Sequence, residues 1–137
     1  MPKRILVVED DEPNRRLIKD VLMYHGYEVM EAANGDEAVK MAAKHKPDLV
    51  LMDLQMPVMN GAEAIRQLKN SPETKGIKII AVTGFAMRGD RERTLDTGAD
   101  DYIAKPIDIR ELPEVVKHIL EGRETRDERR GMSRPSS

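Results

Sequence analysis

Leu49-Val50-Leu51-Met52-Asp53 sets four apolar residues in a row and closes them with an acid. A run this short and this continuously apolar, entered through Pro47-Asp48, reads as a strand covered on both faces. Strands of that kind belong to parallel sheets with helices packed on either side. The acid at its end stands where open α/β sheets place their ligands, outside the carboxyl ends of the strands.

Working outward, four more short runs alternate with amphipathic stretches. Ile5 to Val8 precedes a helix from Asn14 to His25, in which Leu17, Ile18, Val21, Leu22 and Tyr24 fall near helical spacing and Gly26 is the stop. Tyr27 to Glu31 is a more polar strand ended by Asn34-Gly35, a turn signal. Ala38, Val39, Ala42 and Ala43 give the next helix a small apolar stripe, and Ala62 to Lys69 is the helix after the central strand. Ile77 to Val82 predicts the fourth strand, Asp90 to Thr97 a fourth helix closed by Gly98, and Tyr102-Ile103-Ala104 the fifth strand. Asp108 and Glu111 have the spacing of a capping box that opens a last helix through Leu120. Five strands alternating with helices predict an α/β fold: a five-stranded parallel sheet with helices on both faces. Of the topologies compatible with right-handed crossovers, the flavodoxin-like order 2-1-3-4-5 is chosen, with its crevice between strands one and three.

The chain has 137 residues, room for one core. After Leu120 the apolar periodicity stops. Residues 123–137, with five Arg, are expected to form a flexible tail beyond a domain spanning residues 1–122. Without the tail, residues 1–122 carry 18 basic and 22 acidic side chains, which argues against direct nucleic-acid binding. Cysteine is absent, so disulfides and thiolate metal sites are excluded. No apolar run approaches the roughly 20 residues that span a bilayer, and no signal peptide precedes Ile5. A cytoplasmic location is expected.

The chemistry lies in what stands at the strand ends. Strand one ends in Glu9-Asp10-Asp11, strand three in Asp53, strand four in Thr83 and strand five in Lys105, while the outer strand two delivers no such group. Clustered carboxylates raise one another's pKa unless a cation neutralises them. With oxygen ligands alone the suitable cation is hard: Mg2+ fits best, with Mn2+ as a substitute. A lysine and a hydroxyl beside it can hold phosphoryl oxygens, and phosphoryl transfer asks for little beyond positioning and charge stabilisation. A carboxylate is a competent nucleophile for an aspartyl phosphate.

VVEDDEPNRR, LVLMDLQMPVMNG, IIAVTG and YIAKPID together resemble the response-regulator receiver family of two-component signalling over about residues 3–121. The resemblance implies that Asp53 is the phospho-acceptor, Asp10 a metal ligand, and Glu9 a ligand acting through water. It implies that Gln55 gives its backbone carbonyl to Mg2+, and that Thr83 and Lys105 contact the phosphoryl group. Tyr102 falls on the aromatic position that changes rotamer with Thr83 in the switch, and the Lys105-Pro106 bond is expected to be cis. Phe85 and Gln55 occupy positions that tune hydrolysis; both are expected to hinder water and lengthen the phosphoryl lifetime. Phe85-Ala86-Met87-Arg88-Gly89-Asp90 looks closer to DivK-like and hybrid-kinase receivers than to the chemotaxis ones.

Plainer roles suit other residues. Asp11 is expected to cap the following helix rather than touch metal. Asp48, Asp100 and Asp101 read as turn or cap residues, and His25, His45 and His118 as exposed side chains. The methionines read as core and surface filler.

Two rival classes are weighed. A magnesium-dependent phosphatase of the haloacid dehalogenase type wants a second acid two residues after its nucleophile, where this chain has Gln55. A nucleotide or flavin module wants a glycine-rich loop after strand one, where this chain has four acids. The expected function is therefore a stand-alone receiver switch, not an enzyme beyond its own phosphorylation and dephosphorylation. It takes a phosphoryl group from a histidine kinase or a histidine phosphotransfer protein. It signals to a downstream protein target through the face made by the fourth helix, fifth strand and fifth helix. The alternative is a receiver excised from a larger hybrid kinase or regulator, against which Met1 argues mildly.

Overall fold

The computed structural model describes residues 2–56, 60–84 and 97–122. Five strands, β1 (Arg4–Val8), β2 (Glu28–Ala32), β3 (Leu49–Asp53), β4 (Lys78–Thr83) and β5 (Asp101–Ala104), form one parallel sheet in the order β2-β1-β3-β4-β5. The helices are α1 (Glu12–Tyr24), α2 (Gly35–His45), α3 (Gly61–Asn70) and a final described helix, Leu112–Leu120. The expected helix at Asp90 to Thr97 lies outside the described residues apart from Thr97, which sits in a turn. Phe85 and the tail from Arg123 also lie outside them.

β3 is the middle of this sheet and is buried at all five positions, as its continuous apolarity requires. Leu6, Val50, Met52, Ile79 and Ala81 point to one face, where Ala38 and Ala42 of α2 and Ala64, Ile65 and Leu68 of α3 cover them. Ile5, Val7, Leu49, Leu51, Ile80 and Ile103 point to the other, against Ile18 and Leu22 of α1 and Val115, Val116 and Ile119 of the final helix. Burying each large aliphatic side chain stabilises the fold by about 1.5–3 kcal/mol. With no Trp in the chain, this double layer of aliphatic residues carries the core.

The helix ends differ from expectation in two places. Asn34 does not make a turn with Gly35. It is the N-cap of α2, its side chain accepting the Glu37 N–H at 2.9 Å, because an extended Asn before a helix satisfies a donor that a turn would leave to water. The helix expected to open at Asp108 also starts later, although Asp108 still takes the Glu111 N–H. The Asp108 carboxylate accepts the Arg110 N–H at 2.8 Å within a tight turn, and the final helix starts only at Leu112, with Pro113 in its first turn and no side-chain cap bond. A proline has no N–H to lose at that position, so the later start is the less costly one. At the end of α1 Gly26 takes φ +94°, the Gly26 N–H bonds to the Met23 carbonyl and the Tyr27 N–H to the Leu22 carbonyl, the paired closure of a left-handed glycine cap.

Candidate functional site

Register and pleat decide which side chains meet. Side chains alternate faces along a strand, so Glu9, two past Val7, and Asp53, two past Leu51, continue the face covered by α1. Lys105, two past Ile103, continues it as well. Because β1 and β3 are neighbours, the acids of the β1–α1 loop come beside Asp53. Carboxylate oxygens of Glu9, Asp10 and Asp53 lie within 4.8 Å of one another. Thr83 continues the opposite face with Ala81, where Tyr102 packs half-buried against the core. The sequence-predicted residues Glu9, Asp10, Asp53, Thr83 and Lys105 thus gather at one sheet edge.

The electrostatics are unbalanced. Asp53 is 2% exposed, and its Oδ1 is held by Lys105 Nζ at 2.9 Å and by the Gln55 N–H at 2.9 Å. Its Oδ2 is buried and has no hydrogen-bond partner among the described residues. A buried carboxylate oxygen left bare is costly, and two further acids crowd it. Burial, together with the adjacent Asp53 and Asp10, pushes Glu9 up to about 7 against the pull of the Asp11 N–H, which donates to Glu9 Oε2 at 3.2 Å. Among the described residues, three carboxylates face one ammonium. The bare Oδ2 and the all-oxygen donor set fit a hard divalent cation, which would satisfy the orphan oxygen and relieve the repulsion.

Local structure explains how Asp53 is held. Leu54 N–H continues the ladder to the Val82 carbonyl at 2.9 Å, and Lys105 N–H bonds the Thr83 carbonyl at 2.8 Å, so both loops leave the sheet in fixed directions. Lys105-Pro106 is cis, as the resemblance implied. Asp11 caps α1, its carboxylate accepting the Asn14 N–H at 3.0 Å. Gln55 Oε1 accepts the Gly84 N–H at 3.1 Å, so this side chain ties the loop after β3 to the loop after β4.

Gly61 escaped the sequence reading. A Cβ there would overlap the Asp53 carbonyl oxygen and stand 2.7 Å from Leu54 Cα. Only glycine lets α3 start this close to the strand end, and the signal was the glycine directly after the Asn60 cap. Two of the plainer expectations also change. Asp101 is a fully buried strand residue, not a turn residue, and its Oδ1 accepts the Tyr102 N–H at 2.8 Å. His118, in the last turn of the final helix, is half-buried rather than exposed, its Nδ1 enclosed without a partner among the described residues. No described helix is long and apolar enough to cross a membrane.

Comparison with known proteins agrees with this geometry. The family model of the response regulator receiver domain matches residues 5–117. The polar-differentiation response regulator DivK of Brucella anthropi is 44% identical over 120 residues, 88% of this chain and 98% of that protein. The CheY-like receiver domain protein of Methanospirillum hungatei superposes with a TM-score of 0.81 at 35% identity, covering 89% of this chain and 96% of that one. The receiver domain of a sensor histidine kinase from Pseudomonas aeruginosa, whose active-site cleft coordinates a magnesium ion, gives 0.81 at 36% identity over 88% and 99%. The phosphatase and nucleotide-binding alternatives are not favoured by any of these. This chain belongs to the response regulator receiver domain family, as a DivK-like, phosphoryl-accepting switch of two-component signalling rather than a classical enzyme.

Proposed function

We propose that Asp53 accepts the phosphoryl group, from a phosphohistidine on a histidine kinase or phosphotransfer protein, the partner class that receiver membership implies. The observation that carries this is the Asp53 carboxylate itself: buried, held by Lys105 on one oxygen, and with its other oxygen bare of hydrogen bonds among the described residues. A carboxylate oxygen attacks phosphorus, the nitrogen–phosphorus bond breaks, and the imidazole leaves with its electron pair. Lys105, already 2.9 Å from Asp53, neutralises charge on the incoming phosphoryl oxygens. Thr83, buried at the end of β4, offers its hydroxyl from the adjacent strand.

Asp10, Asp53 and the Gln55 backbone carbonyl would hold Mg2+ directly, with Glu9 reaching it through water. When bound, the ion supplies charge neutralisation for the acid cluster and the phosphoryl oxygens. Mn2+ has the same donor preference. The exposed side chains of Leu17 and Ile109 flank a 450 Å³ groove that Glu9, Lys105 and Pro106 also line, an apolar landing for the donor beside Asp53.

Phosphorylation adds about −1.5 to −2 charge. Thr83 then turns toward the phosphoryl group and Tyr102, on the same sheet face, moves into the space behind it, reshaping the surface along β5. The message leaves through protein contact with a downstream target rather than DNA. A cytoplasmic location follows from the donor, since histidine kinases phosphorylate themselves from cytoplasmic nucleotide. Gln55, tied to Gly84 at the phosphoryl edge, and Phe85 would shield the acyl phosphate from water.

The test is incubation of the full chain with acetyl phosphate, with and without Mg2+, followed by intact mass. The expected result is a gain of one phosphoryl group only with Mg2+. A gain that ignores chelation of the metal would refute the cation's place in this reading.

A further inference from the structure

β2 sends no side chain to the acid cluster, yet one of its residues is wired to it. Glu31 receives Arg15 Nε on Oε1 at 3.1 Å and Lys19 Nζ on Oε2 at 3.3 Å, two cations one turn apart on α1. Burial would raise Glu31, but the hydrogen bonds from Arg15 and Lys19 outweigh it and hold the carboxyl below its ordinary range. Arg15 has a second contact. Its Nη1 donates to the Glu9 backbone carbonyl at 2.8 Å, and its side chain is only 16% exposed. The Glu9 N–H meanwhile bonds the Ala32 carbonyl at 3.1 Å, and its carboxylate takes the Asp11 N–H. The Glu9 peptide is therefore gripped on both sides, on one of them by a guanidinium that Glu31 orients.

We propose that Arg15 is a positioning residue of the cation site: anchored by Glu31, it clamps the Glu9 main chain so that the Glu9 carboxylate stays turned toward Asp10 and Asp53. This rests on the reading of the acid cluster as a Mg2+ site. The guanidinium suits the task because its planar fork bridges a carboxylate and a carbonyl at once, which a lysine ammonium on a flexible stem does poorly. The outer strand thereby takes part in the site through a second residue.

Charge and position make opposite predictions. Arg15 is a cation near the acid cluster, so by Coulomb attraction alone its removal should tighten Mg2+. If Arg15 positions Glu9, its removal loosens Mg2+. The experiment is calorimetric titration of Mg2+ into metal-free full-length wild type, Arg15→Met, Arg15→Lys and Glu31→Gln, with the melting temperature of each metal-free form. Loss of a group that orients a metal ligand typically weakens affinity by about 10-fold or more. Weakening of about that size is expected in Arg15→Met, with a smaller loss in Arg15→Lys and Glu31→Gln. Arg15→Lys keeps the charge and the stem, so it reports even where Arg15→Met fails to fold. Affinity that is unchanged or tighter in the folded Arg15 variants overturns the positioning role while leaving the Mg2+ site intact. Wild type that takes up no Mg2+ takes both readings down.

Discussion

The two ends of the sheet treat their partly or fully buried charge in opposite ways. At the end where the strands begin, Lys69 Nζ donates to the Ile77 carbonyl at 3.0 Å, to Asp100 Oδ2 at 3.1 Å and to the Lys75 carbonyl at 3.5 Å. Asp100 Oδ2 also accepts the Ile79 N–H at 2.8 Å, and the buried Thr74 hydroxyl donates to the Leu68 carbonyl at 2.7 Å. One ammonium there uses three acceptors and faces one carboxylate. At the end where the strands finish, three carboxylates share one ammonium among the described residues, and Asp53 Oδ2 has no partner among them. The first network is complete and holds loops in place. The second is incomplete, which leaves it reactive toward a cation and a phosphoryl group. Polar groups that are satisfied stabilise, and those left short are where function sits.

Substitutions that exchange these roles should break the comparison, and the largest effect should come from Gly61→Val. Its side chain collides with the Asp53 carbonyl and Leu54, so stability should fall by about 3 kcal/mol, with phosphoryl uptake lost as the strand end shifts. Urea denaturation and the acetyl phosphate assay would read both.

Glu9→Gln should act in the opposite direction, stabilising the metal-free protein. Folding raises Glu9 from its ordinary 4.5 to about 7, so the folded state holds the proton longer. Stability tied to that proton is complete below about pH 4.5 and is lost as pH rises through about 7. Metal-free Glu9→Gln should therefore exceed wild type at pH 8 by up to about 2 to 3 kcal/mol and match it near pH 5. Mg2+ should shrink the gap at pH 8, and a gap unchanged between the two pH values would contradict the crowding of acids.

At the complete end, Asp100→Ala strips Lys69 and the Ile79 N–H of a shared acceptor. A loss of about 2 kcal/mol is expected with Mg2+ affinity unaltered. Thr74→Val, isosteric but without the hydroxyl, should cost about 1 kcal/mol and likewise leave Mg2+ binding alone. A change of Mg2+ affinity in either would show that the two ends are coupled.

Most of this was legible in the chain. Four unbroken apolar residues before Asp53 mark a strand buried on both faces, and alternation of such runs with helical spacing yields the parallel sheet. The acids, hydroxyl and ammonium of the site follow strand ends, so their convergence follows from topology. What escaped depends on distances between segments remote in sequence. Gly61 matters only because α3 begins against the Asp53 carbonyl. Glu31 looks like a solvated acid on a polar strand until α1 brings Arg15 and Lys19 over it. Asn34-Gly35 and Asp108 carry side chains that favour turns and helix caps equally, and the packing of the following helix decides between them.

The central claim, that the incomplete end takes the phosphoryl group at Asp53, is tested most directly by locating the modification. Protein treated with acetyl phosphate and Mg2+ is reduced with borohydride, which converts an aspartyl phosphate to homoserine, then digested and sequenced by mass spectrometry. The expected result is homoserine at position 53 in wild type and none in Asp53→Asn. Homoserine at position 10 or 11, or undiminished labelling in Asp53→Asn, would contradict the account.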